Sequence, residues 1–315
     1  MKKILLSAVA LVMLFSCQNE TTEGAPEASA IAKRGCASQE VLEAQLKADP
    51  TLALRMNEIE AFTQKAMLNG RLVNGKVEIP VVVNVLYRTA AENISDAQIQ
   101  SQIDVLNADF NATNSDFSST PALFSGVAAN VGITFVLETI NRKSTTKTSW
   151  GTRDAMKKTK QGGLDPTSPT TKLNMWSCTI GGGILGYAQF PGGATATDGV
   201  VMDSKYFGLS GSGAYPYNLG RTATHEVGHW MNLRHIWGDA TCGSDLVSDT
   251  PTHDTANYGV PAYPHYSTCT GTPVEMTMNY MDYTDDRGMY MFSNGQKTRM
   301  AAVFVSGGAR ASFGI

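Results

Sequence analysis

The 315-residue sequence is 42% hydrophobic and 17% charged, with a formal net charge of −3. That apolar content excludes a wholly disordered chain. The near-balanced charge argues against a chain-wide basic surface for nucleic acid. The length allows one large domain with a shorter extra segment, or two domains.

Met1-Lys2-Lys3 is a basic leader followed by the short apolar run Ile4 to Ser16. A bilayer-spanning helix needs about 20 apolar residues, so residues 1–16 are expected to be a secretory signal. Leu14-Phe15-Ser16-Cys17 resembles a bacterial lipobox, which makes Cys17 the expected lipidated residue; the alternative is an ordinary signal peptide with a stray Cys. Membrane contact is then expected through an N-terminal lipid only, and export implies a compartment that permits disulfides. Residues 17–35, polar and small, read as a tether.

Residues 38–68 have a helical pattern. Asp49-Pro50 offers an N-cap followed by Pro at the first helical position, and Leu52, Met56, Ile59 and Thr63 share one face, with Phe62 beside it. About thirty residues cannot bury a core alone, so this piece must lean on the rest of the chain. Gly70 and Gly75 mark a joint, and residues 36–75 read as a helical pro-segment ahead of a main domain over 76–315. That domain opens with the near-continuous apolar run Ile79 to Tyr87, as expected for a strand covered on both faces. Ser95 then precedes a helical pattern carrying Ile99, Ile103, Leu106 and Phe110. Residues 133–137, 173–180 and 199–202 read as strands, and Gly181-Gly182-Gly183 as a bulged strand end or tight turn. Ser293 and Gln296 form a capping-box pattern ahead of a short final helix with Met300, Val303 and Phe304. A sheet backed by a helix follows from this order.

Residues 225–235 hold three of the five His. His225 and His229 stand at i, i+4, about 6 Å apart along a helix and on nearly the same face, so both imidazoles can reach one Zn²⁺. Glu226, adjacent to the first, can serve as a general base on water. On a continuing helix His235 would lie about 9 Å further and roughly 240° round. The chain must therefore leave the helix before it, and Asn232, which tolerates the left-handed conformation, is where it can. Three His with an open fourth position is the pattern of a catalytic zinc rather than a structural one. His253 and His265 lie in a Pro- and Asp-rich loop and are not read as ligands.

This window resembles the long zinc motif of metzincin endopeptidases, with Asn232 where that motif has Gly. Asn279-Tyr280-Met281-Asp282-Tyr283 resembles their Met-turn. Gly181 to Pro191, Ser248-Asp249-Thr250-Pro251 and Met281 to Asp286 narrow the resemblance to the pappalysin (cytophagalysin) family, ulilysin-like, from about residue 36 to about 305. It implies an α+β fold: a twisted mixed β-sheet with a backing helix and a zinc-site helix, then an irregular C-terminal subdomain with a short terminal helix. It also implies substrate paired along an edge strand near 181–190. Met281 would form an apolar floor, and Tyr283 would hydrogen-bond the developing oxyanion or swing off the metal to do so. A Cys242–Cys269 disulfide is implied too, whereas the Cys that the family places near Arg287-Gly288 is missing. Cys178, in an apolar strand, reads as a buried free thiol.

Cys36 resembles the cysteine switch of metzincin zymogens, in which a thiolate fills the open zinc position. A disulfide with Cys178 or an idle thiol are the alternatives. Asp245, Asp249 and Thr252 resemble a Ca²⁺ loop of ulilysin-like enzymes, with a solvated acidic loop as the alternative. Arg287 either favours acidic substrate side chains or points to solvent. The sequence thus implies a secreted or surface-anchored zinc endopeptidase acting on proteins or peptides, made latent and released when the joint is cut; self-cleavage near Arg71 or Lys76 is an option. The alternatives are an inactive metzincin-scaffold binding protein, whose sign would be a lost His or Glu, and a metal-scavenging lipoprotein, whose sign would be His-rich tracts. The sequence has neither sign.

Overall fold

The computed structural model describes residues 33–68 and 77–313. The signal segment, Cys17 and the joint with Arg71 and Lys76 lie outside the described residues.

The helical stretch expected over 38–68 is two helices, α1 (Ser38–Ala48) and α2 (Leu52–Leu68), the second starting two residues after the expected Pro50. The break is local: Asp49 Oδ1 accepts from both the Thr51 N–H and its hydroxyl, an Asx-type turn that competes with helix continuation. Leu52, Thr63 and Ala66 are the buried positions of α2. Arg34, within the span expected to be a tether, is buried.

A mixed five-stranded sheet follows: β1 (Val77–Tyr87), β2 (Ile133–Ser144), β3 (Leu173–Cys178), β4 (Gly186–Ala188) and β5 (Val200–Asp203). The order is β2-β1-β3-β5-β4. β4 pairs antiparallel with β5, and every other pair is parallel. β1 is apolar throughout its middle because both faces are covered. Val81, Val83 and Val85 join the main core, whereas Leu86 packs in a second cluster with Trp176, Tyr187 and Val201. The main core is closed by α3 (Asp96–Phe110), on which Ile99, Ile103, Leu106 and Phe110 are all buried. Its N-cap is Ser95, whose hydroxyl accepts from Gln98 N at 3.1 Å.

A single turn, α4 (Ala122–Ser125), precedes β2. α5 (Arg221–Trp230) packs against α3, β4 and β5, and all ten of its residues are buried. The chain beyond it is irregular, joined by a Cys242–Cys269 disulfide, and ends on α6 (Asn294–Ala302), which carries the Ser293/Gln296 capping box. Arg310 ties this C-terminal region to α5. Its Nε donates to Trp230 O at 2.8 Å, and its fork holds Asp198 at 2.6 and 2.9 Å. Among the described residues no helix is long and apolar enough to cross a membrane.

Candidate active site

α5 ends where the three-His geometry demands. Asn232 has φ of 74°, the left-handed stop expected of it, and Leu233 N donates back to Gly228 O at 2.9 Å. Gly228 is required by the floor beneath. A Cβ there would lie 2.6 Å from Met281 Sδ, so the Met-turn packs directly on the helix backbone. Ile236 N in turn donates to Met281 O at 3.1 Å, fixing the returning segment that carries His235.

The three imidazoles converge. His229 Nε2 is 3.1 Å from both His225 Nε2 and His235 Nε2. His225 Nδ1 lies 2.7 Å from Tyr280 O, and His229 Nδ1 lies 2.8 Å from Leu233 O. A carbonyl can only accept, so both Nδ1 atoms carry the proton and both Nε2 atoms present lone pairs. His235 Nδ1 donates to Asp239 Oδ1 at 2.5 Å, and its ring stacks on Trp237 at 4.3 Å. Burial, then the neighbouring imidazoles, hold His225 well below the usual imidazole range. The same two causes push His229 down to about 3. Three neutral imidazoles with buried, converging lone pairs repel one another unless a cation sits between them. The donor set therefore fits a divalent metal.

A fourth donor is present. Cys36 Sγ and the three imidazole nitrogens all lie within 4.8 Å of one another, and all four residues are buried. Cys36 and Cys178 are both free thiols, so no disulfide joins them. Cys36 Sγ also donates to Glu226 Oε2 at 3.3 Å, and Ser38 Oγ donates to the same oxygen at 2.8 Å. Burial pushes the Glu226 carboxyl up to about 7 despite these bonds. Its Oε1 is buried with no hydrogen-bond partner among the described residues. The Tyr283 hydroxyl donates to the Cys36 carbonyl oxygen at 3.2 Å, so a peptide carbonyl already stands where Tyr283 can reach it.

The segment carrying Cys36 lies against the edge strand. Leu185 N donates to Gly35 O at 2.8 Å, and Ala37 N donates to Gly186 O at 3.1 Å. Ala188 N donates to Ser38 Oγ at 2.8 Å. The Cys36–Gly186 pairing is parallel.

Sequence reasoning missed the neighbouring pocket. Arg34 is only 3% exposed. Its Nη2 lies 2.5 Å from Asp286 Oδ1, its Nη1 donates to Thr222 Oγ1 at 3.1 Å, and its Nε donates to Thr284 O at 3.2 Å. The guanidinium sits 4.8 Å over the Tyr217 ring. Asp286 is held from behind, since its Oδ2 accepts from Leu219 N at 2.8 Å. Arg287, the residue considered from sequence, is exposed, with its guanidinium 5.9 Å from the Tyr215 ring centre. The charge facing Arg34 is therefore acidic, set by Asp286.

Two of the three residues expected of a calcium loop are engaged in structural bonds. Asp249 accepts from Ser293 Oγ at 2.6 Å and Gly295 N at 2.8 Å, at the N-terminus of α6. Asp245 accepts from Thr250 Oγ1 at 2.9 Å and Val247 N at 3.1 Å. Thr252 is exposed. His253 Nε2 accepts from Met276 N at 3.0 Å, and His265 Nδ1 is 3.0 Å from Glu275.

Comparison with known proteins agrees with this arrangement. Residues 177–305 match the Peptidase_M43 family model, described as pregnancy-associated plasma protein-A. An extracellular metalloprotease of Pyricularia oryzae is 33% identical over 305 residues, covering 95% of this chain and 92% of that protein. Extracellular metalloprotease 1 of Coccidioides posadasii is 34% identical, covering 78% of this chain and 84% of that protein. Among solved structures, a promirolysin mutant of Tannerella forsythia is 40% identical with a TM-score of 0.82, covering 89% of this chain and 97% of that one. Mature mirolysin of the same organism, in complex with a cleaved peptide, is 44% identical with a TM-score of 0.74, covering 77% of this chain and 97% of that one.

Proposed function

Since the chain belongs to the pappalysin-type (Peptidase_M43) family of metzincin metalloendopeptidases, we propose that it is a zinc endopeptidase made as a latent zymogen, cutting beside basic residues. The observation that carries this reading is the buried group of Cys36, His225, His229 and His235.

His225, His229 and His235 would hold the zinc. When bound, zinc polarises the scissile carbonyl and lowers the pKa of water. Glu226 takes the proton of the attacking water at its unpartnered Oε1 and hands it to the leaving amine. Tyr283 donates its hydroxyl to the developing oxyanion, as it does here to the Cys36 carbonyl. Substrate pairs with β4 as an added strand, in the place that residues 35–38 take in the intact chain. Arg34 lies in the same cleft as the basic side chain of a substrate would, with its charge on Asp286.

Latency follows from the same contacts. With Cys36 the zinc site has four protein donors, a closed set. Arg34 fills the adjoining pocket, and the strand pairing denies β4 to other chains. The promirolysin neighbour supports a pro-form. Residues 36–75 then act as the pro-segment and 76–315 as the catalytic domain. Arg71 and Lys76 in the joint carry the basic side chains that the Asp286 pocket selects. In the full chain Cys36→Ala should show hydrolysis before any processing, whereas the wild-type chain should stay silent until cut. Both should stop on chelation and recover with zinc. A silent, folded Cys36→Ala chain that is released by processing would overturn the switch.

The signal at 1–16, lipidation of Cys17 and a tether reaching towards Arg34 complete the proposal, and the extracellular relatives support export. Because Cys17 and Cys36 both lie before the joint, one cut removes lipid and inhibitor together. Fractionation should find intact chain with membranes and the processed form in the soluble fraction. Processed enzyme that still sediments with membranes would refute the coupling. Calcium is not part of this proposal.

A further inference from the structure

Beside the Arg34–Asp286 pair, the N-terminal segment makes a second ion pair with the catalytic domain, between Glu60 and Arg299. Arg299 on α6 has a side chain only 1% exposed. Its Nε donates to Asn232 O at 2.7 Å, the left-handed residue that turns the chain towards His235. Its two Nη atoms meet both oxygens of Glu60 on α2, at 2.9 and 2.5 Å. This is the bidentate geometry by which guanidinium recognises a carboxylate. Burial opposes the charge on Glu60, yet the Arg299 bonds and charge, then a Gln64 hydrogen bond and last the Arg234 charge, hold its carboxyl below the ordinary range. Among the described residues Glu60 is the only hydrogen-bond partner of the Nη atoms. Asp245 feels the Arg299 charge, but its oxygens accept from Thr250 and Val247 instead.

The contact sits at one end of the cleft. A cavity of about 70 Å³ beside it lies between α1–α2, which carry Glu60, and Phe190, Pro191, Asn232 and Arg234. The Phe190 ring centre is 5.2 Å from that of His229. Phe190 follows β4 directly, so a chain laid along β4 and continued past Ala188 arrives here. The Asp286 pocket lies towards the other end, since Arg34 precedes Cys36 and α1–α2 follow it.

We propose that Arg299 and Arg234 form a carboxylate-binding subsite, filled by Glu60 in the intact chain and by an Asp or Glu side chain of the bound peptide once the pro-segment has left. The inference rests on the zymogen reading above. Departure of α2 removes the carboxylate and leaves a guanidinium, anchored on Asn232, without its counter-charge. Such a group takes up an anion of matching shape. Phe190 is four positions beyond Gly186, the partner of Cys36. At about 3.3 Å per residue of extended chain, the acidic residue falls roughly three to five positions from the scissile bond, on the side away from the Asp286 pocket.

The test uses enzyme processed from the full chain and freed of its pro-segment. Peptides carry one fixed Arg for the Asp286 pocket, and Glu or Gln is scanned along the other side. At one position Glu should be favoured about tenfold in kcat/KM, the worth of a charge-assisted hydrogen bond, with the gain in KM. Arg299→Gln should abolish the preference while the Gln peptide is still cut. Arg234→Ala, a surface change, should reduce it, read as the ratio of Glu-peptide to Gln-peptide cleavage within the same variant. Should Arg299→Gln fail to fold, Arg299→Lys, which keeps charge without the fork, should weaken the preference. A scan with no acidic preference, or a preference that survives Arg299→Gln, Arg299→Lys and Arg234→Ala alike, overturns the subsite. A chain that cuts none of the peptides refutes the peptidase reading instead. The subsite is then decided by calorimetry of the same peptides on the processed Glu226→Ala chain: tighter binding of the Glu peptide supports it, and equal affinities overturn it.

Discussion

Glu226→Ala should leave a processed enzyme with its full complement of metal and almost no turnover. General-base catalysis contributes about 10²- to 10⁴-fold, and kcat should fall by that much. Metal should stay because nothing that orients the imidazoles passes through Glu226. His225 is held by Tyr280 O, His229 by Leu233 O and His235 by Asp239. Glu226→Gln keeps the shape and tests the same point more strictly. In the intact chain an amide can still accept from the Ser38 hydroxyl that donates to Glu226 Oε2 at 2.8 Å; in the processed enzyme, where Ser38 has left, it fills the same space but cannot take a proton from water. Metal per chain, read by elemental analysis, should therefore match the parent in both variants while peptide hydrolysis collapses. A variant that loses metal along with activity would recast Glu226 as a residue that builds the site. A variant that keeps activity would end the general-base assignment.

The two halves of the site differ in how well they can be read from sequence. His225, Glu226 and His229 lie within one turn of a helix, so their spacing alone fixes their relation. His235 could be added because a single residue, Asn232, had to break that helix. The Met-turn is also local, a five-residue string. Arg34 and Asp286 stand 252 positions apart; Asp286 closes the Met281 to Asp286 string, but Arg34 belongs to no period, cap or motif and nothing local pairs the two. Only the folded chain, with residues 35–38 laid along β4, brings them together. The same holds for Glu60 and Arg299. β4 is three residues long and follows three glycines, which leaves no alternation to read. β2 runs seven residues past Leu137, to Ser144. Its second half is polar because it is an edge strand, and its pairing with β1 rather than its composition makes it a strand. The sequence pattern found the elements that bury apolar faces. The contacts proposed to govern latency and selectivity are polar, long-range and specific to this tertiary arrangement.

Neutralising Asp286 should have two effects that pull in opposite directions on measured activity. In the intact chain Asp286 pairs with the Arg34 guanidinium, and the side chains of both are no more than 1% exposed. Asp286→Asn leaves that guanidinium buried without its counter-charge, a loss of about 3–5 kcal/mol for a buried pair with one partner removed. The pro-segment should therefore hold less well, and processing or spontaneous activation should start sooner. In the processed enzyme the same loss falls on the substrate. At about 1.4 kcal/mol per tenfold, kcat/KM for peptides with Arg in this pocket should drop by roughly a hundredfold to several thousandfold. Peptides with Gln or Met there should be cut as well as before, or better. The backbone N–H groups of Leu219 and Arg221 now donate to Asp286 Oδ2. They favour the amide orientation that keeps its oxygen towards them, which turns the NH₂ group towards the guanidinium. That repulsion adds to the lost attraction. Side-by-side progress curves for the full chain and the processed enzyme separate the two effects: a shorter lag with slower cleavage of Arg peptides is the signature of one pocket serving inhibitor and substrate. Unchanged selectivity for Arg in the processed variant would mean that Arg34 occupies a pocket substrates do not use.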